Sequence, residues 1–532
     1  MVRKLVFTDR CLLEFELQSA FRTHDAMLGP RGDRTLPVEI LALIFLEGTY
    51  FDHGNDFLIT ASHVSRYWRN TALSTPCLWW DVVVSTTWTP RINYERAMSW
   101  LGRSRHCPVR IRSLLRGEWP QRPCDALTPD EVTNVIDILS SNVSRIRSFI
   151  MDNRGISISA QTILRALRQT SDAVKALGAP LLRDLSVYGS APMLREPTRI
   201  IGWPAVDLGF FPSLENLLLR YAALIELPPN PKLSRKLTRF SYKRYTMLDR
   251  DADRFTGTRR MSVADILETI DNCTALTHLD ISDIANGVEV PAFATSKRVV
   301  SQNLKNVELS FRSAAAMVHF LRRISLPNVV HLSLDADFEA PADDARPVFI
   351  DAQLVNPPLN SLTSLQLSSV CPPVISSILR RSPNLERLWI DGIDDWPFNM
   401  PGTPIETVVD VLVSPQDDNS FGWIDSTGVA STVPARDTRN GLLCPRIKSF
   451  CIVDCDDLHT RQVIRLANAY VHQSGDSRSR PIEVLRVGLR DEPTKMELEQ
   501  LRESAHHLDI SATKWPESDF DSGGFDYTLI PF

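Results

Sequence analysis

Cys451, Cys455 and His459 recur every fourth residue, which would line them along one face of a helix, and thiolate and imidazole are ligands that zinc takes. Ile447, Phe450 and Ile452 run through the same stretch with a different rhythm, that of a strand. A strand breaks up the ligand face, and the paired spacing and fourth ligand of a structural zinc site are missing. No metal or other cofactor is expected. A second cluster lies between Arg235 and Arg260, where Lys236, Arg239, Lys243, Arg244, Arg254, Arg259 and Arg260 surround Phe240, Tyr242 and Tyr245. Cations interleaved with aromatic rings can hold phosphate or an acidic peptide, and Asp249, Asp251 and Asp253 dilute that charge. Lys243, Arg244 and Tyr245 are the candidates for partner binding there. The sequence contains no GxSxG elbow, no phosphate-binding GxxxxGK[ST] loop, no GxGxxG fingerprint and no HExxH helix. With no seat for catalysis, the chain is expected not to be an enzyme.

The bulk composition narrows the classes further. The chain has 532 residues, 43% hydrophobic and 23% charged, with a formal net charge of -5, which is ordinary globular composition without the positive excess that phosphate backbones require. Nucleic acid is not an expected partner. The opening MVRKLVFTDRCLLEFELQ is interrupted by Asp9, Arg10, Glu14 and Glu16, so it does not read as a secretory signal. No apolar run is long enough to span a bilayer. Nine cysteines, an odd number without a CxxC pair, do not form a disulfide framework. These features together imply a cytoplasmic and/or nuclear protein with no membrane partner.

What must position any interaction surface is a set of helices followed by a long series of strands. In LPVEILALIFLEG, Ile40, Leu41, Ile44 and Phe45 fall on one helical stripe, and Pro37 suits a first turn where its missing N–H costs nothing. The polar EGTYFDHGND breaks the pattern, and FLITASHVSRYWRNTAL resumes it with Leu58, Ala61, Val64 and Trp68. From about residue 145 one phrase keeps returning: an apolar residue, two variable positions, a second apolar residue, one variable position, a third. It occurs at Ile146/Phe149/Met151, Leu182/Leu185/Val187, Leu214/Leu217/Leu219, Leu237/Phe240/Tyr242, Leu276/Leu279/Ile281 and Leu304/Val307/Leu309. It continues at Val329/Leu332/Leu334, Leu362/Leu365/Leu367, Leu385/Leu388/Ile390, Ile447/Phe450/Ile452 and Ile482/Leu485/Val487. Helical segments such as DEVTNVIDILSSN, SVADILETIDNC, SAAAMVHFLRRI and PPVISSILRRSPN separate several of these phrases. Such a unit cannot bury its own apolar face, and stacking neighbours does. The phrase is that of leucine-rich repeats, and the spacing is irregular: 23 residues from Leu214 to Leu237, 39 from Leu237 to Leu276, 62 from Leu385 to Ile447.

Leu36-Pro37-x-Glu39-Ile40-Leu41-x-x-Ile44-Phe45, followed by Val64-Ser65-Arg66-x-Trp68-Arg69, resembles the F-box motif in residue identity and order. Leu78-Trp79-Trp80-Asp81-Val82-Val83-Val84, then INYERAMSWLGRSRHCP and VRIRS, extend the resemblance to proteins of mushroom-forming fungi over residues 35–113. The resemblance implies that Leu36, Pro37, Ile40, Leu41, Ile44, Phe45, Val64 and Trp68 dock a Skp-type adaptor and, through it, a cullin. It departs from the family in a longer, polar connection between Phe45 and Val64. The expected architecture is α/β: an N-terminal segment (1–34), a three-helix F-box-like module (35–84), a linking strand and helix with the first repeat helix (85–144), an irregular leucine-rich-repeat solenoid (145–510) with a long exposed insertion (391–441), and a C-terminal tail (511–532). The implied function is substrate recognition for a Skp–cullin–F-box ubiquitin ligase, with an unidentified target protein on the repeats. The alternative is a repeat scaffold with no ligase role, its helices serving as a cap.

Overall fold

A computed structural model describes residues 36–51, 56–85, 94–114, 129–153, 181–189, 211–220, 235–243, 261–284, 298–336, 359–370, 372–392, 409, 412–413, 444–453, 455, 458–473, 482–489 and 491–512. The expectations for segment 1–34 and for the tail beyond Ala512 lie outside these residues. The architecture is mixed α/β with parallel strands, and the chain divides into two compact units, Met1–Glu226 and Leu227–Phe532.

The first unit opens with helices α1 (Val38–Phe51), α2 (Asp56–Val64) and α3 (Arg66–Ser74). A 3-10 turn (Pro76–Trp79) leads into strand β1 (Asp81–Ser85). Helix α4 (Tyr94–Arg103), strand β2 (Val109–Leu114), helix α5 (Pro129–Asn142), a second 3-10 turn (Val143–Arg145) and strand β3 (Ile146–Asn153) follow, then β4 (Asp184–Gly189) and β5 (Asn216–Arg220). The five strands are parallel and in sequence order. Their register aligns Val82, Ile111, Phe149, Leu185 and Leu217 in one row, all buried. Parallel neighbours need a crossover, and α4 and α5 supply it between β1 and β2 and between β2 and β3.

The sheet therefore begins earlier than the repeat phrase indicates. β1 and β2 belong to the same ladder as β3, and α4 packs on β1. Helix α1 packs against the 3-10 turn that leads into the sheet, where Leu78 and Trp79 are buried. The three N-terminal helices and these five strands lie within one compact unit.

Helix α1 also runs past the polar break read from the sequence. Glu47, Gly48 and Thr49 stay helical, and the Thr49 hydroxyl donates to the Leu46 carbonyl at 2.7 Å. Glycine usually weakens a helix interior by about 1 kcal/mol. Here a Cβ at position 48 would overlap the Phe57 ring of α2, so the missing side chain lets the two helices close together. Gly48→Ala is expected to lose a net ~1 kcal/mol, because the strain of moving that ring outweighs the gain in helix propensity. Thermal unfolding of the two proteins compared side by side checks it, and a stabilised variant would contradict the packing account.

The second unit contains β6 (Arg239–Lys243), helix α6 (Val263–Asn272), β7 (His278–Ile284), β8 (Val299–Val300), β9 (Asn306–Phe311), helix α7 (Ala314–Arg323), β10 (Ile324–Ser325) and β11 (His331–Ala336). It continues with β12 (Ser364–Ser368), helix α8 (Pro372–Leu379), β13 (Arg387–Asp391), β14 (Ser449–Val453), helix α9 (Thr460–Gln473), β15 (Ile482–Leu489), helix α10 (Lys495–Ser504) and β16 (Ala505–Ala512). Nine strands form a parallel sheet in the order β6-β7-β9-β11-β12-β13-β14-β15-β16, while β8 and β10 pair separately. One row of the ladder runs Phe240, Leu279, Val307, Leu332, Leu365, Leu388, Phe450, Leu485 and Leu508. All eleven phrases read from the sequence fall at strands of the two units, and every one of their apolar positions is buried. Helix starts are secured locally: Ser262 with Asp265 and Thr494 with Glu497 form reciprocal capping boxes, and Ser313 caps α7.

Strand ends share a further device. Asp283, Ser369 and Gly392 each lie two residues beyond the last apolar position of a phrase and each has positive φ, at 64°, 52° and 60°. The turn is bonded across strands, Ser369 N donating to Asp391 O at 2.8 Å. Despite the insertion after Asp391, β13 and β14 are direct neighbours in unbroken register. The insertion is not wholly solvated either: of its few described residues, Val409 and Leu412 are buried.

Candidate docking surface on the first three helices

The eight residues singled out by the motif do not share one environment. Leu41 and Phe45 are 0% exposed, whereas Leu36, Ile40, Ile44 and Val64 are 48%, 42%, 43% and 60% exposed, and Pro37 is exposed beside them. Trp68 is half-buried, with its ring meeting Phe45 edge-on at 5.3 Å between centroids. Leu41 and Phe45 therefore correct the sequence reading: they are packing residues that support a surface and do not form it. The reason is geometric, since positions 40 and 44 sit one turn apart on α1, and 41 and 45 occupy the next stripe, which α2 and α3 cover.

Ser65 explains why Val64 faces outward although the sequence places it on the inner stripe. It interrupts what reads as one helix, and its hydroxyl accepts the Trp68 N–H at 3.1 Å as the cap of α3. The chain changes direction there, so Val64 closes α2 in solvent while Leu58 and Ala61 stay buried. Phe57 completes the interior, its ring 6.3 Å from that of Phe45.

Two exposed apolar residues escaped the sequence reading. Tyr67 is 37% exposed and Leu73 40% exposed, both on α3. Tyr67 falls on the variable position of Val64-Ser65-Arg66-x-Trp68, where a motif gives no signal, and its hydroxyl donates to the Leu36 carbonyl at 2.8 Å. These exposed apolar residues lie on a three-helix cluster that also exposes Glu47, His63, Arg66 and Arg69. Large apolar side chains left exposed beside charged ones are a common feature of interaction sites.

The other candidates fare differently. Lys243, at the end of β6, is bound to the Asp280 carboxylate at 3.1 Å, with Glu308 at 3.8 Å, and the Ser241 hydroxyl donates to the same Asp280 at 2.9 Å. Its charge is already met by carboxylates of β7 and β9. Arg244 and Tyr245 lie outside the described residues. Cys451 projects on the side of β14 opposite Phe450 and Ile452, and burial pushes its thiol up to about 12, away from the thiolate that zinc binds. The Cys455 thiol donates to the Val453 carbonyl at 3.3 Å, and His459 pairs with Asp491. Among the described residues no group of three or more His, Cys, Asp or Glu side chains could hold a metal ion. None of their helices is long and apolar enough to cross a membrane.

On the sheet of the second unit, the side opposite the core carries Asp280, Glu308, Ser333, Gln366, Trp389, Cys451, Arg486 and Asp509 in register. Arg486 is paired with Asp509 at 2.8 Å. His331, on the same side, lies 3.1 Å from the Ser364 hydroxyl, and burial together with the Arg387 charge holds its imidazole below the ordinary value against the opposing pull of Glu308.

No protein-family model matches this chain, and no curated protein matches it.

Proposed function

We propose that this chain is the substrate-recognition subunit of a Skp–cullin–F-box type ubiquitin ligase. The three N-terminal helices dock a Skp-type adaptor, and the parallel strands and their return helices form an irregular leucine-rich-repeat solenoid that holds a target protein. The observation that carries this reading is the division of the motif: Leu36, Pro37, Ile40, Ile44 and Val64 are each exposed, on a cluster whose interior is already filled by Leu41, Phe45 and Leu58. Large apolar side chains left outside a packed interior favour a partner. The polar side of the second unit's sheet, from Asp280 to Asp509, suits a role in holding the target, since strands fixed in register present side chains at constant spacing. The adaptor and cullin would carry the ubiquitin-loaded enzyme, so catalysis is proximity supplied to another protein and needs no nucleophile here.

A second reading is favoured by one contact. Helix α1 packs against the 3-10 turn that feeds β1, as a cap closing the end of a strand array would. In that case the chain is an interaction scaffold without a ligase.

Co-purification of the intact chain with a Skp-type adaptor separates the two. Wild type is expected to bind, and Ile40→Asp/Ile44→Asp to bind roughly ten- to a hundredfold more weakly, because both positions are exposed and a carboxylate would have to be desolvated on docking. Circular dichroism should be unchanged in the variant. Folded wild type that does not bind would leave the scaffold reading in place.

A further inference from the structure

We propose that the Tyr67 hydroxyl has a positioning role in adaptor docking, acting through Leu36 and separate from any contact of its ring; the inference rests on the docking reading above. Leu36 precedes the first turn of α1, whose opening bond runs from Leu41 N to the Pro37 carbonyl at 3.0 Å. The Leu36 carbonyl is instead taken by the Tyr67 hydroxyl of α3, 31 residues later, at 2.8 Å. Next to Tyr67, Trp68 meets Phe45 at 5.3 Å, so adjacent residues of α3 grip α1 at Phe45 and the segment leading into it at Leu36, nine residues earlier. The grip at Phe45 is buried and apolar and holds the helix. The grip at Leu36 lies between two exposed residues, where water can replace a lost partner, so it adds little to stability. What it fixes is the direction in which Leu36 and Pro37 leave α1, and with it whether Leu36 extends the row made by Ile40 and Ile44. A surface residue held in place before binding loses less freedom on docking, which raises affinity without a new contact.

The test is a double-mutant cycle on the intact chain, read as adaptor affinity. Tyr67→Phe deletes the hydroxyl and keeps the ring, and is expected to weaken binding about three- to tenfold, the scale of one neutral hydrogen bond. Leu36→Ala removes the side chain that the bond positions. In that background Tyr67→Phe is expected to change affinity by less than about twofold, since only Pro37 remains to be positioned. Hydrogen exchange over α1–α3 should match wild type in every variant. Tyr67→Phe binding like wild type, effects that multiply across the cycle, or lost protection in α1–α3 would each overturn the positioning role while wild-type binding stands. Absence of binding by wild type would instead remove the docking reading on which it rests.

Discussion

Phe45→Ala is expected to destabilise the first unit by about 3–5 kcal/mol, the cost of emptying a fully buried aromatic site that its neighbours cannot collapse into. The ring is where all three helices meet: it is 0% exposed, Phe57 of α2 lies 6.3 Å away at 75°, and Trp68 of α3 lies 5.3 Å away at 64°. Each edge-on pair adds up to roughly 0.5–1.5 kcal/mol beyond the area it buries, so truncation removes two such contacts together with the transfer term. Whole-chain unfolding is a poor measure, because two compact units need not melt together. Hydrogen exchange resolved by segment is the suitable one: protection should fall across residues 38–74 and hold in β9 to β12. A loss below about 1 kcal/mol would mean that the ring is not the junction of the cluster. Under the proposed docking role, the same variant would separate two ways of losing an adaptor: Phe45→Ala by unfolding the platform, and Ile40→Asp/Ile44→Asp from a platform still protected from exchange.

That contrast within one helix marks where sequence reading stops. Helix α1 contains Ile40, Leu41, Ala42, Leu43, Ile44, Phe45 and Leu46 without a polar residue among them, so it is apolar all round and its periodicity does not say which side turns inward. Only the placement of α2 and α3 decides that, and the break at Ser65 which sets this placement leaves a weak trace in sequence. The strands were far more legible. A side chain at every second position, with one face buried, leaves a direct imprint, and all eleven phrases coincide with strands. The strands that the phrase missed show why. In β1 its three positions are Trp79, Val82 and Val84, and in β16 they are Ala505, Leu508 and Ile510, so the first position carries a residue outside the Leu, Ile and Val that mark the others. In β2 the third position is Ser113, aligned with Val84 and Met151, fully buried, with a hydroxyl that finds no partner among the described residues. Lys243 illustrates the converse: its type suggested a free cation, and Asp280 and Glu308, 37 and 65 residues away, had already claimed it. Partners that far along the chain meet only through strand order.

Arg145→Met is expected to cost about 3 kcal/mol, and Arg145→Lys to recover little of it. The guanidinium closes the junction between the end of α4 and the end of α5. Its Nη2 donates to the Leu101 carbonyl at 2.8 Å and to Asn142 Oδ1 at 2.7 Å, Nε donates to the same Oδ1 at 2.9 Å, and Nη1 donates to Ser104 Oγ at 2.7 Å and to the Arg105 carbonyl. These acceptors are two carbonyls, an amide and a hydroxyl, so the charge is held by dipoles, and burial draws the guanidinium below its ordinary value. Asn142 and Ser104 are themselves buried, and without Arg145 the Asn142 oxygen would lose two donors in a place that water reaches poorly. Arg105 adds to the demand. It sits at φ 48° in the left-handed turn after α4, a conformation that costs a residue with a side chain roughly 1 kcal/mol, and its carbonyl is one of those Arg145 holds. A lysine ammonium keeps the charge but is a single point, and it cannot span acceptors on both helix ends that a planar fork reaches in two directions. The measurement is hydrogen exchange over α4, α5 and β3 in the intact chain. Lysine restoring wild-type protection would show that charge alone suffices at this junction, and equal losses for both variants would assign the stability to the geometry of the fork.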